Sequence, residues 1–371
     1  MIQPTKKLGF GLMRLPRKFV KTDVEQVKEM VDLFLQEGFT YFDTAFVYPG
    51  SEAAIKKALV DRYPRSSFTL ATKLNAFLLA PNEAAAKKQF YTSLERTGAG
   101  YFDYYLLHAI MENNYKKYEK FHIWEFVKEQ KERGTIKNFG FSFHAGPQLL
   151  DQLLTEHPEV DFVQLQINYA DWENPSVTSR ANYEVARKHG KQIVVMEPVK
   201  GGRLANPPME VQKLFQAYHP DMSCASWAIR FAASLDGVLT VLSGMSNVEQ
   251  MKDNLSYMKD FQPLNEEEQK IIWKAQEILG RSATIPCTAC HYCTGGCPKQ
   301  IPIPEIFAAM NKHLGNGQTA DAKAAYEKAV SEGHRASDCI GCHQCENACP
   351  QHLTILSYLK ECADVLEKGQ D

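Results

Sequence analysis

Short apolar runs alternate with longer amphipathic stretches through the first three quarters of the chain. LGFGL (8–12), TYFDTA (40–45), FTLATKL (68–74), DYYLLHA (103–109), NFGFS (138–142), FVQLQIN (162–168), QIVVMEP (192–198) and VLTVLSG (238–244) have strand length, and most are rich in β-branched or aromatic residues. Helical patterns separate them, such as DVEQVKEMVDLFLQEG, with Asp23 near its start and Gly38 placed to close it. Eight strand–helix repeats before residue 281 predict an α/β fold, a (β/α)8 TIM barrel, whose chemistry gathers where the strands end. Behind it, residues 304–314 and 319–332 are Ala-rich with Gly between them and predict two further helices. The division expected is therefore a barrel over 1–280 and a small, mainly α-helical domain over 281–371.

Charge narrows the partners. With 42 basic and 44 acidic residues in 371, the net charge of −2 gives no field that would draw nucleic acid or an anionic membrane. The first residues, MIQPTKKLGFGLMRLP, lack an apolar run of signal-peptide length, and no later stretch approaches the ~18 apolar residues of a spanning helix. A cytoplasmic protein is expected.

Cysteine placement changes the picture more. Nine of the ten cysteines lie at or beyond residue 287, so they form a local cartridge. Cys287, Cys290, Cys293 and Cys297 with Pro298, and Cys339, Cys342, Cys345 and Cys349 with Pro350, each read C-x2-C-x2-C-x3-C-P. That is the bacterial [4Fe–4S] spacing. Zinc is the rival, but its structural sites draw four ligands from two short pairs. In two-cluster ferredoxins the fourth cysteine of each run serves the other cluster. Carried over, one cluster takes Cys287, Cys290, Cys293 and Cys349, and the other takes Cys339, Cys342, Cys345 and Cys297. The 41 residues between the runs, 298–338, depart from a free ferredoxin. The segment resembles the α-helical ferredoxin domains fused to other oxidoreductases. Cys224 and Cys362 stand outside both runs and are expected to be buried thiols.

Polar residues punctuate the ends of the barrel strands: Asp43, Lys73 and His108 on consecutive strands, and Tyr48 five residues beyond Asp43. FDTAFVYPGSE, ATKL, LLHA, IKNFGFS, VQLQINY and EPVKGGRL resemble the successive signature segments of the aldo-keto reductases, over nearly all of residues 7–260. The resemblance implies that Asp43, Tyr48, Lys73 and His108 form a catalytic tetrad. The chemistry is sensible apart from the name. Hydride transfer to a carbonyl leaves an alkoxide to be protonated, and a tyrosine near its usual pKa is a reluctant donor. A buried Lys73 would favour the phenolate of Tyr48, Asp43 would hold Lys73 charged, and His108 could orient the carbonyl oxygen.

On the cofactor side the resemblance implies that Ser142 and Gln164 hold a nicotinamide carboxamide. It also implies that Gly201 and Gly202, with Gly244, Asn247, Gln250 and Asn254, meet the phosphates and adenosine of NADP or NAD. Phe143 stands where many members have an amide-binding Asn, Met196 where an aromatic ring often stacks on nicotinamide, and Gly244 and Gln250 where NADPH users commonly carry Lys and Arg. The leading expectation is an oxidoreductase interconverting a small-molecule carbonyl and an alcohol with a nicotinamide cofactor and carrying two [4Fe–4S] clusters. Nicotinamide delivers two electrons as hydride and each cluster passes one, so a flavin in the barrel or a redox partner protein is expected to mediate. The alternatives are an electron-transfer module whose tetrad is idle and a protein whose clusters are purely structural.

Overall fold

The computed structural model describes residues 6–281, 284–317 and 319–367. The chain divides into two compact units, one of residues up to Val199 with Phe215–Ile272, the other of Lys200–Leu214 with the residues from Trp273 onward.

In the first unit eight parallel strands close a barrel: β1 (Leu8–Gly11), β2 (Tyr41–Asp43), β3 (Thr69–Leu74), β4 (Phe102–Ile110), β5 (Ile136–Phe143), β6 (Phe162–Gln166), β7 (Gln192–Met196) and β8 (Val238–Ser243). Each apolar run became a strand, and β1 closes the ring by pairing with both β2 and β8. Every residue of β3 is buried, as for a parallel strand covered on both faces. Tyr41, Ala71, Tyr104, Leu106, Phe162, Val194 and Leu242 form a packed cluster of their own from alternate strand positions. At Gly140 a Cβ would stand 2.3 Å from the Phe162 carbonyl oxygen, so only glycine lets β5 approach β6 this closely.

The outer helices follow the sequence pattern. In α1 (Val24–Gln36) the Asp23 side chain accepts from the Gln26 amide at 3.2 Å, and Val27, Met30, Val31 and Phe34 make one buried stripe. Gly38, at φ 79°, turns the chain so that the Phe39 amide reaches the Phe34 carbonyl at 3.1 Å. That turn brings the Phe34 and Phe39 rings into a stack at 5.2 Å. Truncating Phe34 to Ala should cost about 3–5 kcal/mol.

The second unit is helical, with no strand among its described residues. Ile303–Asn316, Thr319–Ala329 and Ile355–Cys362 are its longer helices beyond residue 281, packed through Ile306, Phe307, Met310, Tyr326 and Leu359. The second helix stops at Ala329, short of the expected 332, because the chain turns through Gly333 at φ 91°. Cys362 is buried as expected, but Cys224 is only half-buried: it is the first residue of the helix Cys224–Ser234, where a side chain borders solvent. Among the described residues no helix is long and apolar enough to cross a membrane.

Candidate functional site

Four predicted residues gather at one end of the barrel. Asp43 ends β2, Lys73 lies next to the end of β3, and His108 lies near the end of β4, all three buried. Tyr48, half-buried, sits in the turn after β2. That turn is pinned: the Tyr48 amide donates to the Ala45 carbonyl at 3.0 Å, and the Ser51 hydroxyl donates to the Leu12 carbonyl at 2.9 Å and pairs with the Thr44 hydroxyl at 2.7 Å. The Lys73 ammonium donates to Asp43 Oδ1 in a close ion pair and to the Thr44 carbonyl at 2.8 Å. It lies 5.2 Å from the centre of the Tyr48 ring. The Tyr48 and His108 rings meet edge to face at 5.7 Å.

His108 owes its aim to a bulge. The β4–β5 register shifts between Leu107 and Ile110, and Ala109 takes the left-handed conformation at φ 57°. Two bonds hold that strained residue, its amide donating to Ser142 Oγ at 2.7 Å and its carbonyl accepting from Asn114 Nδ2 at 2.8 Å, and the Tyr118 hydroxyl donates to the carbonyl of His108 before it. None of Ser142, Asn114 and Tyr118 could be assigned this work from sequence, because the contact depends on the bulge.

Burial sets the electrostatics. It pushes the Lys73 ammonium down, against the attraction of Asp43, and the Asp43 carboxyl up, against the attraction of Lys73. The Asp43 and Thr44 oxygens both accept from the ammonium, which favours its charged form. Burial, then the charge of Lys73, drives His108 well below the ordinary histidine range. His108 is therefore neutral near pH 7, with one N–H to donate.

The cofactor side is mixed. Ser142 and Gln164 are register partners on β5 and β6, both buried, and Gln164 Oε1 has no hydrogen-bond partner among the described residues. An orphaned buried acceptor beside a hydroxyl fits a carboxamide. Phe143 belongs to the core, edge to face with Phe141 at 6.0 Å. Met196 is half-buried at the end of β7, and Gly244 is exposed after β8. Three other residues use their side chains within the chain. Asn247 caps the helix Val248–Met258 by accepting from the Gln250 amide at 2.8 Å, Gln250 Oε1 accepts from the Ser246 amide at 2.7 Å, and Asn254 donates to Ser243 Oγ at 2.6 Å.

Gly201 and Gly202 fall in the second unit. Gly201, at φ 65°, is packed so that a Cβ would stand 2.5 Å from the Thr288 carbonyl oxygen, whereas a Cβ on Gly202 would meet nothing within 4 Å. Beside them the Arg203 guanidinium donates to the Ile285 carbonyl and, at 2.6 Å, to Thr284 Oγ1. The segment after β7 is thus bound to the chain that leads into Cys287.

The cysteines line two cavities. Cys287, Cys290, Cys293 and Cys349 line one, with Phe307, Leu353 and Ile355 among its apolar walls. Cys297, Cys339, Cys342 and Cys345 line the other. Each cavity takes three cysteines from one run and the fourth from the other. Ile303 lines both, a shared wall that motif spacing did not single out. Among the described residues no three His, Cys, Asp or Glu side chains converge as they would on a single ion; the thiols stand around spaces. Burial pushes Cys293 and Cys349 up, and Cys345 up to about 11. Thiolates in such walls need cationic metal, and four cysteines per cavity fit a cubane cluster.

Comparison with known proteins follows the same division. Residues 7–277 match the profile of the aldo/keto reductase family, and residues 286–354 match that of a 4Fe-4S dicluster domain. An uncharacterized oxidoreductase, YqkF, of Bacillus subtilis (strain 168) is 23% identical over 298 residues, 72% of this chain and 91% of its own length. An aldo-keto reductase of Mycobacterium avium (strain 104) is 28% identical over 250 residues, 67% of this chain and 79% of its own. Among solved structures, the holo form of aldo-keto reductase AKR11C1 from Bacillus halodurans superposes with a TM-score of 0.59 at 26% identity, covering 74% of this chain and 95% of that one. An aldo/keto reductase from Klebsiella pneumoniae in complex with NADP and acetate gives 0.60 at 18% identity, over 72% of this chain and 90% of that one, a likeness of fold.

Proposed function

The chain belongs to the aldo/keto reductase family, and from that premise we propose that its barrel interconverts a carbonyl and an alcohol with a nicotinamide cofactor. The dicluster domain behind it passes single electrons through two [4Fe–4S] clusters. One observation carries the barrel half: Lys73, paired with Asp43, stands 5.2 Å from the Tyr48 ring, beside a histidine that burial keeps neutral. Lys73 favours the phenolate of Tyr48, so Tyr48 gives up its proton more readily to the forming alkoxide. His108 donates to the carbonyl oxygen and fixes its direction. Gln164 Oε1 accepts from a carboxamide N–H, and the Ser142 hydroxyl, which accepts from Ala109, can donate its own proton to the carboxamide oxygen. A bound nicotinamide supplies the hydride.

Each cysteine cavity supplies the four thiolates of one cluster. Ile303 lines both cavities, which supports single-electron transfer between neighbouring clusters. Because hydride and single electrons do not interchange directly, clusters held by these cysteines would exchange electrons with a separate one-electron partner. The ten cysteines form no disulfide, which suits a reducing compartment, and the cytoplasm is the proposed location.

A second reading, electron transfer with an idle tetrad, draws support from Asn247, Gln250 and Asn254, whose side chains already bind within the chain. One experiment separates the two. Anaerobically purified protein is analysed for iron and sulfide, with about eight of each expected, and its absorbance is recorded before and after NADH or NADPH, which also reveals any flavin. A carbonyl screen then compares the wild type with Tyr48→Phe, which should lose about 10²–10⁴-fold in turnover and retain nucleotide binding. Zinc without sulfide would refute the cluster assignment, and undiminished turnover by Tyr48→Phe would favour the second reading.

A further inference from the structure

The two cysteine cavities meet solvent differently. Around the first, Cys287 and Cys290 are half-buried and Cys293 and Cys349 are buried; around the second, Cys342 is exposed. Ile340, between Cys339 and Gly341, is 61% exposed, the one large apolar side chain so exposed among the described residues beyond 281. A single exposed isoleucine is ordinary on a protein surface. Its place is not ordinary, because it stands between two cysteines of one cavity and helps to line that cavity with Lys299 and His343, which are also exposed. The first cavity, by contrast, has no exposed cysteine, although the exposed His291 lines it; Thr288, next to Cys287, is buried against Gly201, and Arg203 holds the Ile285 carbonyl nearby.

We infer that the loop Cys339–His343, with Lys299, is the docking surface for a small one-electron carrier protein, so that electrons enter and leave the chain through the second cluster. The inference rests on the reading that the cavities hold clusters. Electron tunnelling weakens steeply with distance, so a carrier must bring its own redox centre against the ligand loop, and the exposed Cys342 offers the shortest approach. Ile340 gives that contact an apolar centre that can be dried without stranding a polar group, and Lys299 and His343 form a polar rim. Electron-transfer encounters use small interfaces, and a patch of one loop and one lysine is of that kind. Each docking oxidises the carrier by one electron and reduces the second cluster by one, with no bond made or broken. The Ile303 wall leads on to the first cluster.

The test mixes loaded, oxidised protein with a photoreduced [2Fe–2S] ferredoxin under anaerobic stopped flow and follows cluster bleaching. Ile340→Glu should lower the second-order rate constant by about tenfold or more, since it buries an unpaired charge at the centre of the contact. Leu79→Glu, at an exposed position in the barrel unit, should leave it within about twofold. Dithionite reduction and the paramagnetic resonance of both clusters should be unchanged in each. Lys299→Glu lies outside the Cys339–His343 loop and gives a second test if Ile340→Glu loses a cluster; with its iron content checked to match the wild type, it should slow an acidic ferredoxin and weaken the salt dependence. Equal rates in the wild type and both docking variants overturn the inference. So does loaded protein that dithionite reduces and the ferredoxin does not. Protein lacking iron and sulfide overturns the cluster reading itself.

Discussion

Lys73 in the barrel and Cys345 in the second unit meet the same penalty and resolve it differently. Burial pushes the ammonium of Lys73 down and the thiol of Cys345 up to about 11, in each case against the charged form. Lys73 has its counter-charge in the chain, on Asp43, with the Thr44 carbonyl as a second acceptor. Cys345 shares its cavity with three more thiols, Cys297, Cys339 and Cys342, and only added metal can neutralise four thiolates together. In the barrel, Lys73 and Asp43 balance each other without an added ion, and strand ends set Asp43, Lys73 and His108. On the reading proposed above, the cysteine sites await iron and sulfide, and the loops around them carry the left-handed residues Ala289, His291, Gln300 and His343.

The largest effect should come from removing one ligand. Cys297→Ser alters a residue of the first run, yet Cys297 lines the cavity of Cys339, Cys342 and Cys345. Iron should fall from about eight toward about four per chain, the second cluster's resonance should vanish, and the thermal transition of the barrel should stay in place. A variant that loses only the first cluster would break the pairing, and one that unfolds the barrel would break the contrast between a self-sufficient and a metal-dependent unit.

A glycine pair sharpens the contrast next. Gly190, in the barrel unit, has φ 66° with open space around a would-be Cβ, whereas Gly201 has φ 65° with the Thr288 backbone 2.5 Å away. Gly190→Ala should cost about 1–2 kcal/mol from its backbone conformation alone. Gly201→Ala adds a collision that only movement of Thr288, beside Cys287, can relieve. Heating the two variants while following cluster absorbance should show early bleaching in Gly201→Ala and little change in Gly190→Ala. Equal bleaching would mean that the segment after β7 does not hold the first cavity.

The two units were also unequally legible in the sequence. The cysteines announce themselves by local spacing, and the crossed cavities follow the ferredoxin pattern. The tetrad is spread over 66 positions, from Asp43 to His108, and is readable only through the order of the strand repeats that deliver it. Contacts formed between distant segments were not readable: Gly201 with Thr288, Arg203 with Ile285, and Ile303 between the cavities. For Asn247 and Gln250 a signal was available. NVEQ is a capping pair, Asn at the cap and Gln three residues on, and the structure uses both side chains at that helix start.

Acid should separate the regions further. The folded pKa of His108 lies well below 6.5 because the ring is buried, so the native barrel binds fewer protons there than the unfolded chain. The stability this represents is present above pH 6.5 and is lost as the pH falls toward the folded value, by up to about 1.4 kcal/mol per pH unit. His108→Gln should flatten the acid limb of the barrel's unfolding curve relative to the wild type, measured by denaturant titration between pH 7 and pH 5. Parallel curves would show that the imidazole charges freely in the native state.

The smallest effect expected is in the choice of nucleotide. A desolvated 2′-phosphate needs cationic partners, and the positions where family members commonly supply them hold Gly244, which is exposed, and Gln250, whose side chain is folded back on the Ser246 amide. Arg203 is no substitute, since its guanidinium is engaged by Thr284 and Ile285. NADPH and NADH should therefore bind within about tenfold of each other, a difference of less than about 1.4 kcal/mol, as measured by fluorescence titration of the apo-nucleotide protein. Gln250→Arg should restore a preference for NADPH, at the cost of the Ser246 bond that now closes the helix start. If the wild type already binds NADPH a hundredfold more tightly, a cation outside these positions reaches the phosphate, and Lys252 in the same helix is the first residue to replace with alanine.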